Sequence, residues 1–346
     1  MPFTKPNQFK FSVGPWNLHS GADPFGPPVR KERPFAEKLN VFRNLGFHYV
    51  QFHDDDAVPD EASSAERARL CKRVKKLLGE HGLLPEFVAP RMWEHPLTVD
   101  GPITSNNPKA RKYAVERGKR CVEVANHLGT KNIVLWPARE GAYIRECKDA
   151  LASFQFMIEF IDELLAYDPD IRILGEMKPN EPMDLMYMPS TGHMLAMCYK
   201  AADPTRVGVL IESAHCILLG LDPSDEMAYA MWHDKLWSVH LNDQDGLKYD
   251  QDKTFGAVNL RRAFNTVDML VRNGYGLQGE VVGLDVKAMR TQPAAESYLH
   301  LKNSKEIFLL LAELANKIDR QKMDDYRNAQ NYEGLELFMV RSLLGK

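Results

Sequence analysis

Short apolar runs of five or six residues alternate with longer amphipathic stretches along most of this chain. The runs are FKFSVG (9–14), YVQFH (49–53), LPEFVA (84–89), NIVLW (132–136), IRILGE (171–176), VGVLIE (207–212), LWSVHL (236–241) and EVVGLD (280–285). Their length and β-branched content predict strands. Between them, 34–46, 64–82, 110–129, 149–167 and 260–274 carry helical periodicity, and several close on a glycine after a basic or polar last turn. Eight strand–helix units of parallel type close most simply into a (β/α)8 barrel. Residues 1–295 are therefore expected to form the barrel domain. Residues 296–346 read as a helical extension, one long helix followed by a short one near the end.

In such barrels reactive groups gather at the C-terminal ends of the strands. Here His53, Trp136, Glu176, Glu212, His240 and Asp285 occupy those ends. Glu176, Glu212, His215, Asp250, Asp252 and Asp285 come from LGEMKPNEP (174–182), IESAH (211–215), NDQDGLKYDQD (242–252) and GLDVK (283–287). Gathering such groups is costly unless a cation neutralises them, so the set predicts two divalent metals. Glu212 has two oxygens and can serve both, with Glu176 and Asp285 on the first and His215, Asp250 and Asp252 on the second. The Asp250/Asp252 pair is expected to share one side of an extended segment. Oxygen-rich ligation suits Mg, Mn or Co. Taken alone, KYDQD (248–252) reads equally as a solvated acidic loop.

Composition narrows the class. Of 346 residues, 44% are hydrophobic and 26% charged, with a formal net charge of −3. That profile fits a globular protein with an ample core and gives no reason to expect nucleic-acid binding. The densest basic stretch, KRVKK (72–76), reads as a solvated helix face. No apolar run approaches the length of a membrane span, and MPFTKPNQFK lacks a signal-peptide core. Five cysteines without CxxC spacing suit reduced thiols, and the expected location is cytoplasmic. Cys216 is expected to be a buried small side chain rather than a ligand.

FHDDD (52–56), KPNEP (178–182), KYDQD (248–252) and ADPFG (22–26) together resemble the xylose (glucose) isomerase family, in order, from about residue 9 to about residue 290. The resemblance implies an aldose–ketose isomerase with two divalent metals and a monosaccharide substrate. His53 and Asp56 match the pair that helps open the sugar ring. Asp55 and Asp56 could instead cap the next helix. Lys178 matches the lysine that hydrogen-bonds the substrate carbonyl, and a salt-bridged strand-end lysine is its plainer reading. Trp16, Trp93 and Trp136 match or neighbour an aromatic wall that shields a hydride moving between C1 and C2, although core packing also explains each one. Phe25 matches a phenylalanine lent to a neighbouring subunit, and Lys287 a lysine behind the metals.

The chain also departs from that family. His240 stands where xylose isomerases carry an aspartate ligand, as in the related rhamnose isomerases. It removes a negative charge and should move metal preference from Mg toward Mn, Co or Zn. Ala89, Arg91 and Trp93 replace the usual threonine, asparagine and phenylalanine, so a sugar other than D-xylose is expected. Arg91 either faces a substrate hydroxyl or carboxylate or pairs with Glu94. Only 59 residues (346 − 287) follow Lys287, short for the family's arm, which favours a dimer sharing Phe25 over an arm-wrapped tetramer. Two other functions compete: a sugar epimerase or lyase on the same barrel, and a catalytically silent sugar-binding relative.

Overall fold

The computed structural model describes residues 2–247 and 249–346; Lys248, the first residue of KYDQD, lies outside them. Eight parallel strands close a barrel: β1 Phe11–Val13, β2 Tyr49–His53, β3 Leu84–Ala89, β4 Asn132–Leu135, β5 Arg172–Glu176, β6 Val207–Glu212, β7 Leu236–Leu241 and β8 Val281–Leu284. Around the barrel each strand pairs with its sequence neighbours, and β8 pairs with β1 to complete the ring. This is the (β/α)8 TIM barrel that the alternation of runs predicts. Four strands match the sequence reading to the residue. The other four are shorter by one to three residues: Gly14, Trp136 and Asp285 fall outside the ladder at the top rim, and Phe9, Lys10, Ile171 and Glu280 at the opposite end.

Alternation along the strands divides the apolar residues between two cores. Val50, Phe52, Ile133, Ile173, Val207, Val209, Val239 and Val282 belong to the large outer core under the helices. Phe87, Ala89, Val134, Leu174 and Leu210 form a small inner cluster, with Trp16 and Trp237 packed against it. Deeper, Gln51 donates to Ser12 and Glu86, and Ser238 donates to Glu86, which links the buried polar groups of the lumen.

Four α-helices escape the sequence reading: Asp54–Ala57, Thr191–Lys200, Ser213–Leu218 and Pro223–Trp232. Ser213–Leu218 starts directly after β6, with Glu212 as its N-cap, so no polar linker marks it. The segment after the barrel holds three helices, Leu299–Lys317, Arg320–Asn328 and Tyr332–Leu343, rather than two. The break between the last two falls at Gln330, whose φ of 52° no helix continues. Phe308 of the first packs edge-on against Phe9 and Phe11, at 4.9 and 5.4 Å between centroids. Among the described residues, no helix is long and apolar enough to cross a membrane.

Candidate functional site

A cavity of about 470 Å³ opens at the C-terminal ends of the strands. Trp16, His53, Trp93, Trp136, Glu176, Lys178, Glu212, His215, His240, Asp250, Asp252, Asp285 and Lys287 line it, so thirteen of the sixteen side chains singled out from sequence converge there. Asp56, Arg91 and Phe25 are not on its wall. Strand register does much of the placing: Glu212 lies opposite His240, and His240 opposite Gly283. A Cβ on Gly283 would fall 2.5 Å from the Gln51 amide and 2.8 Å from His240 Cδ2, so only glycine leaves that imidazole its place.

Three overlapping groups of side chains stand close enough to share a cation, and Glu212 belongs to all of them. They are Glu176–Glu212–His215, Glu212–His240–Asp285 and Glu212–Asp250–Asp252. His240 Nδ1 lies 3.2 Å from Glu176, 3.6 Å from Glu212 and 3.9 Å from Asp285. His215 Nε2 lies 3.2 Å from Glu212 and 3.1 Å from Asp250. Asp250 and Asp252 come together differently from the extended arrangement expected. Asp252 has a φ of 43°, so a left-handed residue, not strand alternation, turns its carboxylate inward.

The donor set fits cations. Six carboxylates (Glu176, Glu181, Glu212, Asp250, Asp252 and Asp285) line the cavity against Lys178, Lys287 and Arg139, and the excess is negative. His215 Nδ1, His240 Nε2 and Asp250 Oδ1 are buried with no hydrogen-bond partner among the described residues. The acid–base balance shows the same strain. Burial and the Glu212 charge lift Asp285 to about 6, while burial and Asp250 push Asp252 well up. Burial also raises Glu212. Burial alone would hold His240 neutral, but Glu176 lifts it well above the ordinary range for histidine. Burial works against an ionised Asp250, but Lys178 holds it well below the carboxylate range. Cations in this cluster would remove the mutual repulsion that drives the upward shifts.

Neighbours fix the candidate ligands in place. Asn242 Nδ2 donates to Glu212 at 2.8 Å and to Asp252 at 3.1 Å, while its Oδ1 accepts from Ser213 Oγ and the Ala214 N–H. Trp16 Nε1 donates to Asp285 at 2.9 Å, a role beyond walling the cavity. Lys178, almost wholly buried, donates to Asp250 at 3.0 Å and Glu181 at 2.9 Å. Lys287 donates to Asp252 at 2.9 Å. The plainer reading of Lys178, a salt-bridged strand-end lysine, describes its contacts, and its position on the cavity wall leaves it in reach of a bound molecule.

The Trp93 and Trp136 rings meet edge-to-face at 4.6 Å, and Trp16 and Trp93 flank His53 at 4.5 and 5.3 Å. Asp56 caps the short helix Asp54–Ala57 by accepting from the His53 N–H at 2.8 Å, and also lies 3.5 Å from His53 Nδ1. Arg91 sits behind His53, not across from the substrate space: it bonds Asp55, Asp56, Glu94 and His53 Nδ1. Phe25 is 95% exposed, on a turn bridged between Asp23 and Gly26. Sequence reasoning missed Asn242, Arg139, Glu181 and Phe87. The position of Asn242, two residues past His240 at a strand end, was the available signal.

Fold and cavity together define a barrel with a rim-level acidic cluster of metal-binding type. A family profile described as xylose isomerase-like TIM barrel matches residues 39–300, and the chain belongs to that family. Solved structures share the fold. A D-tagatose 3-epimerase-like protein superposes with a TM-score of 0.61 at 18% identity, covering 87% of this chain and 98% of its own. For 3-keto-D-glucoside 4-epimerase from E. coli the values are 0.61, 14%, 88% and 98%. For a xylose isomerase domain protein from Alicyclobacillus acidocaldarius they are 0.59, 15%, 88% and 99%.

Proposed function

We propose that this protein is a divalent-metal-dependent isomerase that interconverts an aldose and a ketose. The observation that carries the reading is the second group of candidate ligands. Beyond Glu176, Glu212, His240 and Asp285, the cavity holds His215, Asp250 and Asp252, joined to the first set through Glu212. With one cation on the first set, His215, Asp250 and Asp252 would serve only as ion-pair partners of one another and of Lys178 and Lys287; a second cation would use all three as ligands. Two bound cations (Mn, Co or Mg) would supply Lewis-acid polarisation of neighbouring sugar oxygens.

The chain's own residues would do the rest. Lys178 remains protonated despite burial, because Asp250 and Glu181 hold its charge, and its ammonium can donate to the oxygen that gains charge. Trp16, Trp93 and Trp136 keep water from hydrogen moving between C2 and C1 as a hydride. His53, flanked by Trp16 and Trp93 on the cavity wall, would meet the sugar. Residues 1–295 act as the catalytic unit and 296–346 as an appended helical extension. The site of action is the cytoplasm, where the five free cysteines stay reduced. A dimer would bring Phe25 of one copy toward the other's cavity.

One observation favours a second reading, an epimerase or lyase working by carbon acid–base chemistry. Asp285, lifted to about 6, could exchange a proton near neutral pH, with Glu176 on the other side of His240. Turnover in D2O separates the two. A hydride shift leaves the product carbon almost free of solvent deuterium, whereas proton abstraction labels it. Bound metal without turnover across a broad sugar panel would point instead to a silent sugar-binding protein.

A further inference from the structure

Arg91 is held behind His53 by contacts from several directions. Its Nε donates to Asp55 at 2.9 Å, one Nη to Asp56 at 3.2 Å, and the other Nη to Glu94 at 3.4 Å. Its backbone N–H donates to Asp54 at 2.9 Å, and Arg117 grips that aspartate through two bonds of 2.8 and 2.9 Å. The Nη that reaches Asp56 also stands 2.8 Å from His53 Nδ1. Burial disfavours the Arg91 charge, but Asp55, Asp56 and Glu94 outweigh it and keep the guanidinium protonated.

A guanidinium has only donors, so the nitrogen it contacts must accept. Asp56 asks the opposite of that nitrogen, since a carboxylate can only accept. The two demands are unequal. Asp56 lies 3.5 Å away, with one oxygen engaged by the His53 N–H and the other by Arg91, while Arg91 sits at ordinary hydrogen-bond distance.

We infer that Arg91 is a positioning residue that locks His53 in the tautomer with its proton on Nε2, making His53 a fixed hydrogen-bond donor toward the cavity. This rests on reading the cavity as a sugar site. In that state the imidazole cannot pass its proton on, because loss from Nε2 would leave an imidazolate. The substrate oxygen at His53 is therefore an acceptor, an ether or carbonyl oxygen rather than a donating hydroxyl. Without the Arg91 guanidinium, Asp56 would take a proton-bearing Nδ1 and the tautomer would invert.

Nitrogen-15 NMR of the full-length, Mg-loaded protein with labelled histidine tests this directly, with the His53 signals assigned by their loss in His53→Gln. In the unmodified protein Nδ1 should give a protonless, pyridine-type signal and Nε2 a protonated one, in a ratio of about tenfold or more, as a charge-assisted bond requires. Arg91→Met should invert the pattern, and Arg91→Lys, which keeps a donor, should retain it. A protonated Nδ1 in the unmodified protein would overturn the inference, and so would an Arg91→Met spectrum without change. The spectrum of the unmodified protein decides even if the variant does not fold. The readout needs no turnover, so failure to find a sugar substrate would count against the proposed function alone.

Discussion

His300 Nε2 lies 2.9 Å from the backbone carbonyl oxygen of Asn17, joining the first C-terminal helix to the turn that carries Trp16. Asn17 in turn accepts the Val286 N–H on its Oδ1 at 2.8 Å and donates to the Gly14 carbonyl at 3.2 Å. The appended helix thus braces both Trp16 and the strand end that bears Asp285, which are themselves hydrogen-bonded.

The burial of that imidazole predicts an acid-sensitive stability. Burial, with help from His19 and Arg30 and against the Asn17 bond, lowers the His300 pKa from 6.5 to about 4. Above pH 6.5 the group is neutral whether the chain is folded or not and has no effect. As pH falls from 6.5 to 4 the unfolded chain takes up a proton that the folded one refuses, so stability drops by about 3 kcal/mol in all. His300→Gln keeps a donor to Asn17 without that titration. Denaturant melts at pH 7 and pH 4.5 should show the unmodified protein losing more stability than the variant. Parallel losses would exclude this role.

Lys178→Met should keep the fold and lose the reaction. The variant removes a donor whose value lies in charge present only at the transition state, so kcat should fall on the order of 100-fold or more. Circular dichroism checks the fold. Near-normal kcat would mean that Lys178 serves only Asp250 and Glu181.

The barrel was readable because strand and helix periods differ so plainly along the chain. His215 was readable too, three residues past Glu212 and so carried back toward it by one helical turn. The rest depends on closure. Gly283 matters only because the β7–β8 register sets it against His240, and Asn242 only because β6 and the 249–252 loop converge on it. The direction of Arg91 was open in sequence, since a long side chain can face either way. Three carboxylates, Asp55 and Asp56 on the short helix after β2 and Glu94 on its own loop, decide it.

Asn242→Ala should weaken metal binding without touching a ligand. It frees Glu212 and Asp252 to rotate, and losses of support of this kind cost about 10- to 100-fold in metal affinity. Calorimetric titration with Mn of the metal-stripped protein reads this directly. Unchanged affinity would show that the carboxylates are fixed by other contacts.

His240 should set metal preference. A neutral ligand among carboxylates depends less on charge and more on ligand softness than an aspartate would. Mn or Co should therefore activate better than Mg, and His240→Asp should move the preference back toward Mg. The same assays should find a best sugar other than D-xylose. The highest kcat/KM for D-xylose with Mg in the unmodified protein would contradict both expectations.

The central claim, two cations sharing Glu212, is tested most directly by anomalous diffraction at the manganese edge from Mn-soaked crystals. The account predicts two peaks in the cavity. Glu176, Glu212, His240 and Asp285 should surround one, and Glu212, His215, Asp250 and Asp252 the other. A single peak at saturating Mn, with Asp250 still paired to Lys178 and Asp252 to Lys287, would contradict it.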